Sequence, residues 1–134
     1  MGQQQLLLII LGVIIVGIAI AVGLSLFSAQ SIQSNRDAII NDLNNLAAQA
    51  YQHRIRPASM GGGNGAYDVS KGGTEFTIPS KMSSNENATY VPTVDDADNV
   101  TIVATSAQDA SNTVTATIDV NGKLGTWVYA GAFL

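Results

Sequence analysis

The N-terminal part of the chain is one long apolar run. From Leu6 to Phe27, 22 residues consist of Leu, Ile, Val, Ala and Phe, broken only by three glycines and Ser25, and carry no charge. As a helix this run would extend about 33 Å, which is enough to cross the hydrocarbon core of a bilayer. A cleaved signal peptide fits poorly, because no Lys or Arg precedes the run and it exceeds the usual length of ~7–15 residues. Phe27-Ser28-Ala29 is also a poor cleavage sequence, so we expect the segment to be retained.

From residue 28 onwards the apolar positions narrow to one helical stripe. They recur at spacings of 7, 4, 3 and 4 with no proline before Pro57, which is the pattern of an amphipathic helix. Pro57 disfavours helical geometry at the preceding residue, and Arg54 and Arg56 suit the negative end of a helix. We therefore predict one helix over about residues 3–56, on the order of 80 Å long. The stripe comprises Ile32, Ile39, Leu43, Leu46 and Ala50, widened by Ile40, Ala47 and Tyr51, while Asn35, Asp42, Asn45, Gln49 and Gln52 fall largely outside it.

Beyond the helix the hydrophobic period shifts to two, which is typical of β-strands. Asn121-Gly122 is a strong signal for a tight hairpin turn between the last two runs. We predict an antiparallel sheet of about four strands, with its apolar face covered by residues 32–51 of the helix, and hence an α+β fold. The alternating runs are Thr74–Ile78, Asn99–Ser106, Thr113–Val120 and Leu124–Ala130.

These patterns divide the chain into three parts. Residues 1–27 form a hydrophobic membrane or filament-core helix, residues 28–57 an amphipathic continuation, and residues 58–134 a β-sheet domain. The sequence Met60–Gly65, MGGGNG, is interpreted as a flexible connection. It is not a phosphate-binding loop, because no Gly-Lys-Ser/Thr follows and no strand precedes it. Trp127 or Tyr129 is expected to be a core residue near the contact between helix and sheet rather than a binding platform.

Composition leaves little material for catalysis or cofactors. The chain has no cysteine, one histidine and 12% charged residues, so disulfides and thiolate metal sites are excluded. Residues 58–134 carry three lysines against eight acids, a net charge of -5. Direct nucleic-acid binding is not expected, because it requires clustered Lys and Arg. We predict a protein that is not an enzyme and that needs no cofactor.

Three groups of residues could still carry chemistry. His53 has no nucleophile signature around it, which favours a helix-terminal or surface role. Asp95, Asp96 and Asp98, with Asn99, offer the oxygen ligands that hard cations prefer, but they lack the EF-hand spacing, glycine and final glutamate. We interpret them as a solvated acidic turn and assign no metal site. Asn87 and Asn99 each begin an N-x-Thr sequon and are candidate glycosylation sites.

The layout of the whole chain resembles the type IV pilin family. A charge-free apolar N-terminus continues into an amphipathic helix, followed by a glycine-rich loop and a small antiparallel sheet, and QQQLLLIILG over residues 3–12 stands where the family has its assembly motif. The match departs from the family at four points. Gln5 replaces the usual glutamate, and the one candidate cleavage glycine, Gly2, would leave Met1 alone as leader. The helix-breaking proline and the C-terminal disulfide of many bacterial members are missing, so the chain is read as a divergent subunit, nearer to archaeal-type members that also dispense with the glutamate.

The resemblance implies a structural subunit that waits in the cytoplasmic membrane and polymerises into an extracellular cell-surface filament. Its partners would be copies of itself, the pilus assembly machinery and, before assembly, the membrane. Val16→Asp is expected to abolish assembly. The alternative is a non-polymerising single-pass membrane protein or a minor pseudopilin with an extracytoplasmic binding domain; adhesion, motility, DNA uptake and biofilm formation are not distinguished by the sequence. The expected filament core comprises Leu6, Ile10, Val13, Val16, Gly17, Ile20, Ala21, Leu24 and Phe27.

Overall fold

The chain folds as a long N-terminal helix followed by a four-stranded antiparallel sheet, which confirms the α+β prediction. The computed structural model describes residues 2–134, and Met1 lies outside the described residues. Helix α1 ends at Ile55, one residue from the predicted end. The elements are α1 (Gly2–Ile55), a 3-10 turn (Ala58–Met60), β1 (Ala88–Val94), β2 (Val100–Ser106), β3 (Thr113–Ile118), β4 (Leu124–Ala130) and a second 3-10 turn (Gly131–Phe133).

The sheet is a simple meander in the order β1-β2-β3-β4, with each strand antiparallel to the next. The predicted Asn121-Gly122 turn joins β3 to β4, and Gly122 adopts a positive φ of 76° there. A side chain at Gly122 would also collide with Tyr51 of α1. β3 ends at Ile118, before the predicted Val120, because the Asp119 carboxylate accepts hydrogen bonds from the turn amides of Asn121 and Lys123.

The prediction of the first strand was wrong. Thr74–Ile78 belongs to no strand, and the fourth strand is β1, which the alternation did not reveal. Pro92 in the middle of β1 weakens the strand pattern, since proline cannot donate a ladder hydrogen bond. The sheet accepts it because β1 is an edge strand. The opposite edge, β4, is interrupted by a bulge facing Thr115–Thr117, where Thr126 has a φ of 50°.

The chain divides into two compact units between Ser34 and Asn35. We call the second unit, Asn35–Leu134, the head unit. Its core forms where the helical stripe meets the inner face of the sheet, and the predicted stripe is buried at Ile39, Leu43, Leu46, Ala47 and Ala50. The sheet contributes alternate residues of its two central strands: Val100, Ile102, Ala104, Val114, Ala116 and Ile118.

Two polar residues of the helix depart from the predicted pattern. Asn35, expected outside the stripe, is 6% exposed; its amide donates to the Asn87 carbonyl oxygen, and its side-chain oxygen accepts from the Ser106 hydroxyl. Asp42 is half-buried and accepts hydrogen bonds from the head unit, as described below. Hydrophobic periodicity could not anticipate either contact, since it counts a polar residue as solvent-facing unless a partner is known.

Candidate functional site

The most unusual surface of the molecule is the apolar segment, Leu6–Phe27. Every described residue from 2 to 30 is exposed, and the large apolar side chains of the segment are between 52% and 73% exposed. Soluble monomers rarely show contiguous apolar patches of this extent, and such patches mark contact with a membrane or another protein. All nine residues predicted for the filament core lie on this exposed surface.

The local sequence explains why the apolar segment is helical without any tertiary support. It contains no proline, and a helix satisfies every backbone hydrogen bond within the segment, as an apolar medium requires. Glycines 12, 17 and 23 have no neighbouring atoms where a side chain would stand, so these positions leave shallow, unfilled surface. Small residues of this kind let another helix backbone approach closely.

Exposure of the apolar segment to water is energetically expensive. Sixteen Leu, Ile, Val and Phe side chains between Leu6 and Phe27 are exposed by half or more. At ~1.5–3 kcal/mol for full burial of each such side chain, covering the exposed part of all sixteen is worth on the order of 20 kcal/mol. The segment therefore requires a cover, and by length and composition α1 is a candidate membrane span.

His53 lies at the end of α1 and faces the loop that follows it. Its Nε2 is 2.7 Å from the Thr74 carbonyl oxygen, and its ring meets Phe76 edge to face at 5.7 Å between centroids. The histidine therefore helps to hold the 74–79 loop against the helix. No nucleophilic hydroxyl is within hydrogen-bond distance of it among the described residues.

A polar pocket of about 210 Å³ adjoins His53. Gln49, Gln52, His53 and Arg56 of α1 form one side, and Phe76, Thr77 and Pro79 of the loop form the other. We call it the Arg56 pocket. Sequence reasoning missed it, because no motif links α1 to a loop 20 residues later.

The acidic residues 95, 96 and 98 do not converge on a common point. The Asp96 carboxylate accepts from the backbone amides of Asp98 and Asn99, Asp95 accepts from the Thr101 hydroxyl, and Asp98 pairs with Arg54 at 3.1 Å. Within residues 2–134, no three carboxylate or histidine side chains are grouped so that they could ligate a metal ion. These acids instead shape the β1–β2 turn and attach it to the end of α1.

Both sequon asparagines use their side-chain amides in internal hydrogen bonds. The Asn87 amide donates to Asp42 at 3.1 Å, and the Asn99 amide donates to Asp96 at 3.2 Å. A glycan on either amide nitrogen would have to displace these bonds. Neither residue is fully exposed.

Trp127 and Tyr129 are half-buried rather than core residues. Their rings stack in parallel at 6.2 Å between centroids, and the Arg36 guanidinium lies 4.2 Å from the centre of the Tyr129 ring. This stack of Arg36, Tyr129 and Trp127 joins α1 to the edge strand β4 by cation–π and aromatic contacts. The expectation of a core position was therefore wrong, although the expected proximity to the helix was right.

No family model, no curated protein sequence and no solved structure matches this chain. The likeness to type IV pilins thus rests on sequence layout alone.

Proposed function

We propose that this chain is a structural subunit that polymerises through its apolar segment into a helical filament of the type IV pilus kind. The exposure of every large side chain from Leu6 to Phe27 carries the proposal. A helix that is apolar on all faces can be covered equally by lipid or by neighbouring helices of its own kind. Transfer from a membrane to a filament would keep all these faces in apolar surroundings.

The unbroken course of α1 supports a filament subunit over a simple anchor. The helix runs without interruption to Ile55, and its residues from Ile39 onwards form part of the head-unit core. An anchor needs no such continuity, since a flexible linker would serve it equally well. Repeated head-to-tail contacts that do not close into a ring generate filaments, which is the assembly mode proposed here.

The proposal is tested on surface material sheared from the producing cells. Electron micrographs are expected to show filaments, and antibodies against the head unit are expected to decorate them along their length. If the protein is found only in the membrane fraction and no filament contains it, the single-pass membrane protein is favoured and the proposal is overturned.

Val16→Asp provides the matched genetic test. An unpaired carboxylate inside an apolar helix bundle costs several kcal/mol, so the variant is expected to abolish filaments. Val69→Asp is the control, because Val69 is exposed to a similar degree but lies in a loop of the head unit, where an added charge meets water. Normal filaments from Val16→Asp would show that the apolar segment is not the buried core.

A further inference from the structure

The Arg56 pocket combines hydrogen-bond donors that have no protein partner with a small apolar surface. In the part of the chain that the structure describes, the Arg56 guanidinium, the Gln52 amide and the Thr77 hydroxyl form no hydrogen bond to protein, and all three residues are exposed to solvent. Phe76, which is 4% exposed, and Pro79 supply apolar surface. The wall of the pocket is mostly polar, so a ligand here would be held by charge and hydrogen bonds more than by apolar contact.

The pocket carries a positive charge, whereas the residues that follow the helix are acidic overall. Residues 58–134 carry a net charge of -5, yet no Asp or Glu lines the pocket, and Arg56 provides a permanent positive charge. The neighbouring Arg54 is already paired with Asp98 and the Val120 carbonyl oxygen, whereas Arg56 is left without a partner in residues 2–134. A lone cation among amide donors favours an anion of low charge.

The Arg56 side chain does not cap the C-terminal end of α1 either. Its last carbonyl oxygens accept hydrogen bonds from the glycine-rich loop, at His53 from Gly63 and at Arg56 from Asn64. The Arg56 side chain is therefore not needed as a helix cap, a role that cations near helix ends often have.

We propose that the Arg56 pocket binds the carboxylate group of a small organic acid, with Arg56 as the charged contact and Gln52 as a second donor. The planar guanidinium matches a carboxylate through two parallel hydrogen bonds. The volume of about 210 Å³ admits a molecule the size of one sugar or one amino acid. This function goes beyond the proposed filament role and is independent of it, because every lining residue belongs to the head unit.

Calorimetric titration of the full chain in non-ionic detergent tests the site without any requirement for filaments. The probes are glucuronate and N-acetylglutamate, with glucose and N-acetylglutaminamide, in which both carboxyl groups are amides, as their uncharged counterparts. We expect saturable binding of at least one acid below ~10 mM and weaker binding of its uncharged counterpart. Preference for glucuronate identifies a sugar acid as the ligand, and preference for N-acetylglutamate identifies an amino-acid carboxylate.

Variants assign the binding to the pocket. Arg56→Gln is expected to weaken binding about tenfold or more, because it removes a charge-assisted bidentate contact, and Arg56→Lys is expected to restore it only in part. Lys123→Gln, which removes an exposed cation outside the pocket, is the control and should bind as the native chain does. The proposal is overturned if neither acid shows saturable binding, or if the uncharged probes bind as tightly as the acids. It is also overturned if Arg56→Gln and Lys123→Gln change the affinity by the same factor.

Discussion

At the scale of single residues, one carboxylate organises the contact between helix and sheet. Asp42 Oδ2 accepts hydrogen bonds from the Tyr90 hydroxyl at 2.6 Å, from the Asn85 amide at 2.9 Å and from the Asn87 amide at 3.1 Å. Burial raises the pKa of the Asp42 carboxyl, but these three hydrogen bonds together lower it below its usual 3.8. Tyr90 is 2% exposed, and burial, followed by its bond to Asp42, raises the pKa of its hydroxyl well above the usual 10.

Removal of the Asp42 carboxylate should destabilise the head unit. Asp42→Ala leaves the buried Tyr90 hydroxyl without its acceptor, so we expect a loss of about 1–3 kcal/mol in the free energy of unfolding. Unfolding can be followed by the fluorescence of Trp127, which is the single tryptophan of the chain. Combination with Tyr90→Phe is the control, since the double variant should cost less than the sum of the two single ones. Additive costs would contradict the coupling.

The same carboxylate should make the stability of the head unit depend on acid pH. Because the folded pKa of Asp42 lies below the unfolded value of 3.8, its contribution is complete above that value and is lost as pH falls through the folded pKa. Asp42→Asn lacks this contribution, so its stability should fall less steeply than that of the native chain between about pH 4 and pH 2. Thermal unfolding at a series of pH values measures both slopes, and equal slopes would refute the assignment to Asp42.

At the scale of elements, the glycine-rich loop proves to be a helix cap rather than the flexible connection that its composition indicated. Gly62 and Gly63 are buried, and the amides of Gly63, Asn64 and Gly65 donate to carbonyl oxygens of the last turn of α1 and the residue just after it. A Cβ added at Gly63 would overlap the Ala66 carbonyl oxygen. The glycines are therefore required by close packing of backbone on backbone, a use that sequence alone does not distinguish from flexibility.

Gly63→Ala tests the cap. We expect a loss of at least ~1–3 kcal/mol in stability, because the loop must move away from the helix end and lose hydrogen bonds. Gly125→Ala is the matched control, since a Cβ at Gly125 meets no atom within 4 Å and its φ is not positive. Similar thermal stability of the two variants would contradict a packed cap.

The predicted elements show how far local patterns reach. The second half of the helix and the strands β2 and β3 follow from periodicity, because each buries one face and so repeats its apolar residues at the period of its backbone. β4 has no fully buried residue and follows from the Asn121-Gly122 turn that precedes it. β1 was missed because Pro92 contradicts a strand locally, and only its place at the sheet edge makes it acceptable. The apolar segment could be recognised from sequence because it is one continuous stretch of the chain. The Arg56 pocket and the Asp42 contacts could not, because they depend on residues brought together from distant parts of the chain.

At the scale of the whole molecule, the apolar segment and the head unit differ in what covers their apolar side chains. All the buried apolar residues of the described chain lie at or after Ile39, so the head unit has its own core. The apolar segment contributes no buried residue. Solubility and folding should therefore be separable by truncation.

Removal of residues 2–28 is expected to give a protein that is soluble without detergent and unfolds cooperatively, because the core of the head unit stays complete. Size-exclusion chromatography and thermal unfolding followed by circular dichroism provide the measurements. The full chain without detergent is the comparison and should associate into large species. Aggregation or non-cooperative melting of the truncated protein would show that the head unit needs the apolar segment to fold.

The irregular edges of the sheet affect how copies of the chain could pack side by side. Pro92 interrupts β1 and the bulge at Thr126 distorts β4, so neither edge offers a long regular strand to a neighbouring copy. Copies held side by side at high density would then touch through side chains, and their sheets would not fuse into a continuous cross-chain ribbon. Because side-chain contacts tolerate replacement better than backbone pairing does, exposed positions of the sheet should accept substitution while the fold of the head unit is maintained.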